Sequence, residues 1–206
     1  MLAYRHYIWD FDGTLFDSYP HSTAAMCAAA AHFGMAVDPA QVSRWLRTSF
    51  ATAYDALGLT EEQKRYFRGL HGDLTLPPPI VPFPDAGQAL RALAAGGAKH
   101  YLYTHSRRRM SVRFLEEFGL AEAFTGFMTP DDPGFTSKPD PGALLRLMAD
   151  YDIPAEAAVM VGDREIDMRC ARSAGIDGIL VDPDGLVGAC CARYRCDRLR
   201  EIPELL

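Results

Sequence analysis

The chain has 206 residues, 49% hydrophobic and 23% charged, a composition that supports a packed core, in one domain with a large insertion or in two small ones, and excludes a disordered tail or a large multidomain assembly. Lysine and arginine number 21 against 27 aspartates and glutamates, a net charge of −6, which argues against a nucleic-acid or anionic-membrane partner because such binding needs clustered positive charge. No run of about 18 apolar residues occurs, the start Met1 to His6 lacks a secretory pattern, and the odd set Cys27, Cys170, Cys190, Cys191 and Cys196 fits a reducing compartment, so a cytoplasmic protein is expected.

Tyr7-Ile8-Trp9 reads as a short buried strand that stops at Asp10-Phe11-Asp12-Gly13-Thr14. Helical spacing then runs from Pro20 to about Gly34. A single second helix is expected from Pro39 to Leu57, with Asp38 as its N-cap and Gly58 just past its end. Thr60 caps a third helix whose first turn holds Glu61 and Glu62. The run from Pro77 to Pro84 is a stiff linker that cannot be helix interior.

Strand and helix then alternate. Helices are expected over 85–95, 107–118, 140–151 and 165–174, and strands over 100–103, 126–128, 157–161 and 178–181. Strands separated by helical stretches of about 10 to 15 residues mean βαβ units and a parallel sheet. The expected fold is therefore α/β, a Rossmann-like parallel sheet built from residues 1–15 and 84–206, with an all-helical insertion over residues 16–83. Ligands bind such sheets at the carboxyl ends of the strands.

Those ends carry complementary polar residues: Asp10 and Asp12; Thr104, His105 and Ser106; and Asp163 with Asp167. Lys138 follows a glycine-containing loop. Acids converging with one lysine and one hydroxyl suggest a divalent cation plus an anion, and hard oxygen ligands select Mg²⁺ over a thiophilic metal. Cys190, Cys191 and Cys196 lack a paired C-x-x-C and a nearby histidine that would complete a soft-metal site.

Asp10-Phe11-Asp12-Gly13-Thr14-Leu15-Phe16-Asp17-Ser18, Thr104, Lys138-Pro139-Asp140-Pro141 and Gly162-Asp163-Arg164-Glu165-Ile166-Asp167 resemble, in order, the four motifs of the haloacid dehalogenase superfamily. The helical insertion after the first motif resembles the C1-type cap of the phosphoglycolate phosphatase-like and β-phosphoglucomutase-like branch. The resemblance covers nearly the whole chain. It implies an Mg²⁺-dependent phosphatase of a small phosphorylated metabolite; a monomer or a weak homodimer is expected, with nothing in the residues to choose between them.

By the same resemblance Asp10 is the nucleophile that forms an aspartyl phosphate, and Asp12 protonates the leaving oxygen and later takes a proton from water. Asp10, the Asp12 carbonyl and Asp163 hold the metal, with Asp167 supporting. Thr104 donates its hydroxyl to a phosphoryl oxygen, and Lys138 offsets the charge that Asp10 and the phosphate share. Gly13 and Thr14 line the phosphate loop, where the missing Cβ of Gly13 allows close backbone approach or simply a tight turn.

Several readings stay open. His105 either contacts substrate or points away while its backbone N–H binds phosphate. Asp17 is either a capping residue or an acid at the site's edge. Arg107, Arg108 and Arg109 form either a phosphate-facing surface or a solvated cluster, and Arg47 either pairs with an oxyanion of the leaving group or is a solvated helix residue. A phosphomutase and a non-catalytic binding module on the same scaffold are the competing functions. Thr14, where such mutases carry a hydrophobic residue, favours hydrolysis, and Asp12 argues against dehalogenation.

Overall fold

A computed structural model of the chain describes residues 3–205. Its elements in chain order are β1 (His6–Trp9), β2 (Phe16–Asp17), α1 (Tyr19–His32), α2 (Pro39–Thr48), α3 (Phe50–Leu57), α4 (Glu61–His71), β3 (Val81–Pro82), α5 (Ala86–Ala95), β4 (Lys99–Tyr103), α6 (Arg108–Glu117), β5 (Phe124–Met128), α7 (Gly142–Asp150), β6 (Ala158–Gly162), α8 (Glu165–Ser173), β7 (Asp177–Val181) and β8 (Tyr194–Cys196). They form two compact units, one running to Leu15 and resuming at Pro82, the other Phe16–Val81. No helix among the described residues is long and apolar enough to cross a membrane.

The first unit is the expected α/β Rossmann-like core, a six-stranded sheet in the order β5-β4-β1-β6-β7-β8 with every pairing parallel. Helical crossovers cover such a sheet on both faces, which is why its strands read as near-continuous apolar runs. On one face Ile8, Tyr101, Tyr103 and Met160 pack against Leu144 and Leu147 of α7 and Cys170 and Ala171 of α8. On the other, Trp9 Nε1 donates to His100 Nδ1 at 3.0 Å, and the His100 Nε2 pairs with the Leu90 carbonyl of α5, also at 3.0 Å.

Register brings the chemistry together. Trp9 lies opposite Leu102 on one side and Val161 on the other, so the residues that follow β4, β1 and β6 emerge side by side at one end of the sheet. Asp10 N–H still donates to the Val161 carbonyl at 2.9 Å and Thr104 N–H to the Met128 carbonyl at 3.1 Å. Both side chains therefore leave from backbone that the sheet holds. β8, Tyr194–Cys196, adds an edge strand beside β7 that the sequence pattern did not reveal.

The second unit is all helix apart from β2 and the Val81 end of β3, which pair as a two-stranded ribbon. Its core joins Tyr19, Met26 and Ala29 of α1 to Val42 and Leu46 of α2, Ala53 of α3 and Phe67 of α4. The single helix expected from Pro39 to Leu57 is two. Ser49 is extended at φ −171° and ψ 159°, and its Oγ accepts from Thr52 N–H at 2.9 Å. The serine thereby ends α2 and caps α3. Thr60 and Gln63 form a reciprocal capping box at the start of α4.

Candidate active site

Asp10 is fully buried, a position where an ionised carboxylate survives only beside compensating charge. Lys138 supplies it. Its Nζ, equally buried, donates to Asp10 Oδ1 and to Asp167 Oδ1, both at 2.7 Å, and lies 4.8 Å from the centroid of the Tyr103 ring, whose face favours a cation. Burial works to raise the Asp10 pKa, but the Lys138 and Arg164 charges more than offset it and hold the carboxyl below its ordinary value. Burial likewise opposes the Lys138 charge, and the two carboxylates overcome it, leaving the ammonium pKa raised. Asp167 is pushed up, by burial first and by the charge of Asp10.

Asp167 is held at both oxygens, Oδ1 by Lys138 and Oδ2 by Arg164 N–H at 3.1 Å. Gly162 makes room for it, since a Cβ there would fall 2.4 Å from the Asp167 Cβ. Arg164 adds the second cation. Its guanidinium approaches Asp10 Oδ2 at 3.4 Å, Asp163 Oδ1 at 3.8 Å and Asp167 Oδ2 at 3.9 Å.

Thr14 Oγ1 donates to Asp163 Oδ1 at 3.4 Å, and Gly13, at φ 78°, turns the chain in the left-handed region between Asp12 and Thr14. Asp12 Oδ2 accepts from Ser106 Oγ at 2.6 Å. Thr104 is buried, and its Oγ1 accepts from Ser106 N–H at 2.9 Å. The His105 ring turns to the lysine loop, where its Nε2 accepts from Lys138 N–H at 2.9 Å. Burial, helped by the Lys138 charge, holds this histidine at about 4, so at neutral pH the ring is uncharged with its proton on Nδ1.

One end of the sheet thus gathers Asp10, Asp12, Thr14, Thr104, Lys138, Asp163 and Asp167. Carboxylate oxygens of Asp10, Asp163 and Asp167 all lie within 4.8 Å of one another, a group that could hold a metal ion. An all-oxygen donor set of this kind fits a hard divalent cation. The carboxylates of Asp10, Asp163 and Asp167 stand against two cations, Lys138 and Arg164.

Arg47 belongs to the helical unit, where its guanidinium stands 4.8 Å over the Tyr19 ring. Asp17, also of that unit, is raised by burial against the opposing charge of Arg47. Arg107 pairs with Asp131 and Arg108 with Asp132, each at 2.9 Å, so these two arginines are committed to acids of the loop after β5. The five cysteines are free thiols. Sequence reasoning assigned no role to Arg164 or to the Ser106 hydroxyl. An arginine directly between two motif acids was the available signal for the first.

Residues 7–181 match the haloacid dehalogenase-like hydrolase family. The chain is similar to phosphoglycolate phosphatase 1 of Pseudomonas aeruginosa, with 30% identity covering 84% of this chain and 67% of the relative. It is similar to phosphoglycolate phosphatase of Rhodospirillum rubrum, with 31% identity covering 84% and 78%. In structure it resembles a haloacid dehalogenase-like family hydrolase from Streptococcus pneumoniae at TM-score 0.81 and 19% identity, covering 100% and 99% of the two chains, a likeness of fold.

Proposed function

Because the chain belongs to the haloacid dehalogenase-like hydrolase family, we propose that it is a phosphatase that hydrolyses a small phosphorylated metabolite, of the phosphoglycolate or sugar-phosphate kind, through an aspartyl phosphate on Asp10 and with Mg²⁺. The observation that carries this reading is the buried Asp10 carboxylate, kept ionised by Lys138 at the end of the central strand. A carboxylate below its ordinary pKa is a competent nucleophile only if an approaching phosphate is not repelled, and Lys138 and Arg164 reduce that repulsion.

In the first step an Asp10 oxygen bonds to phosphorus as the bond to the leaving oxygen breaks, and Asp12 gives that oxygen its proton. In the second, Asp12 takes a proton from a water that attacks phosphorus, the acyl phosphate bond breaks, and Asp10 is regenerated with inorganic phosphate released. Thr104 donates its hydroxyl to a phosphoryl oxygen, and Lys138 balances the charge shared by Asp10 and the phosphoryl group.

Asp10, Asp163 and the Asp12 carbonyl would hold Mg²⁺, and Asp167 would support the site by holding Lys138. When bound, the cation neutralises phosphate charge and orients the phosphoryl group. Gly13 and Thr14 would line the phosphate loop, and His105 would fix the lysine loop.

The test is phosphate release from a panel of phosphorylated metabolites with Mg²⁺ and with EDTA. Metal-dependent release supports the reading. Isomerisation of a sugar phosphate without release would replace it with a mutase, and turnover in EDTA would remove the metal from it.

A further inference from the structure

Ser106 stands two residues past Thr104, half-buried in the bend before α6, and has no part in the steps above. It nevertheless touches both polar groups that must be aimed at a substrate. Its Oγ donates to Asp12 Oδ2 at 2.6 Å across 94 residues of sequence, a short bond. Its backbone N–H donates to Thr104 Oγ1 at 2.9 Å.

We infer that Ser106 is a positioning residue that sets the direction of proton transfer by Asp12 and of hydrogen-bond donation by Thr104, an inference that rests on the phosphatase reading. With Oδ2 tied to Ser106, Asp12 presents Oδ1 as the oxygen that carries the proton to the leaving group. Thr104, accepting from the Ser106 N–H on one lone pair, directs its own hydrogen elsewhere, toward the phosphoryl oxygen. The two links come from different parts of the residue, one from the side chain and one from the backbone. Ser106→Ala therefore cuts the Asp12 link and keeps the Thr104 link.

A misaimed Asp12 matters most where the leaving oxygen needs its proton. Phenolate needs it more than 4-nitrophenolate, which departs readily as an anion. In Ser106→Ala, kcat/KM for phenyl phosphate should fall about tenfold more than kcat/KM for 4-nitrophenyl phosphate, a fraction of the 10²- to 10⁴-fold span of general acid catalysis. Ser106→Thr, which retains a hydroxyl, should restore the wild-type ratio. In an Asp12→Ala background the added Ser106→Ala should move the ratio by less than about twofold, since the group through which it acts is gone.

Equal losses on both substrates, or a full tenfold change that persists without Asp12, would overturn the inference while leaving the phosphatase reading intact. Wild-type protein that hydrolyses neither aryl phosphate with Mg²⁺ would overturn the phosphatase reading itself, so the two failures are distinguishable. Ser106→Thr keeps the test decisive if Ser106→Ala folds poorly, because a merely structural serine would not tie the leaving-group ratio to Asp12.

Discussion

Lys138 Nζ lies 2.7 Å from Asp10 Oδ1, joining residues 128 positions apart in the chain. The bond links the end of the central strand to the loop before α7, and the same nitrogen holds Asp167. A buried ammonium between two buried carboxylates is stable only as a complete set, because removing one partner strands charge in a poorly solvating interior.

Lys138→Met should therefore destabilise the protein by about 3–5 kcal/mol at pH 7.5, the range for breaking a buried ion pair from one side. The deficit should shrink at pH 5, because a raised Asp167 is readily protonated once the lysine is gone. Denaturant titration at the two pH values measures it. A loss that is equal at both would show that the carboxylates are not what the lysine compensates.

Gly162→Ala would place a Cβ 2.4 Å from the Asp167 Cβ, with no flexible chain end to yield. Overpacking of this kind should lower stability by about 1–3 kcal/mol. It should also lower kcat, because Asp167 holds Lys138. Thermal unfolding and turnover together check it, and a variant as stable and active as wild type would show that α8 shifts freely.

His100 is held neutral by burial at about 4, against an ordinary 6.5. As pH falls from 6.5 toward 4 the unfolded chain takes up a proton that the folded ring resists, so the contribution to stability is intact above about 6.5 and declines below it. Up to about 3 kcal/mol is at stake over the whole interval. His100 Nδ1 accepts from Trp9, so protonation would also break that bond. His100→Gln should flatten the dependence of the unfolding midpoint on pH between 4 and 6.5, and an unchanged slope would assign the acid sensitivity elsewhere, His105 being the next candidate.

Much of this architecture was legible because the strands are apolar runs and each ends abruptly in chemistry: Trp9 into Asp10, Tyr103 into Thr104, Gly162 into Asp163. Period and punctuation located these transitions, and parallel pairing did the rest. The break at Ser49 escaped because α2 and α3 share one helical pattern, and only backbone geometry shows that the serine serves as a cap. β8 escaped because the alternation of Tyr194, Arg195 and Cys196 spans only three residues, too few to register as a strand, and these residues owe their strand to pairing with β7. The approach of Arg164 to Asp10 depends on where a long side chain turns, and no spacing rule encodes that.

The measurement closest to the central claim is a rapid acid quench of the protein during turnover of a ³²P-labelled metabolite with Mg²⁺, followed by peptide mapping. The account predicts label on the peptide containing Asp10, none in Asp10→Asn, and loss of at least about nine-tenths of kcat in that variant, since nucleophile removal is among the largest single effects in catalysis. Phosphate release that proceeds with no label on Asp10, and that Asp10→Asn largely retains, would contradict it.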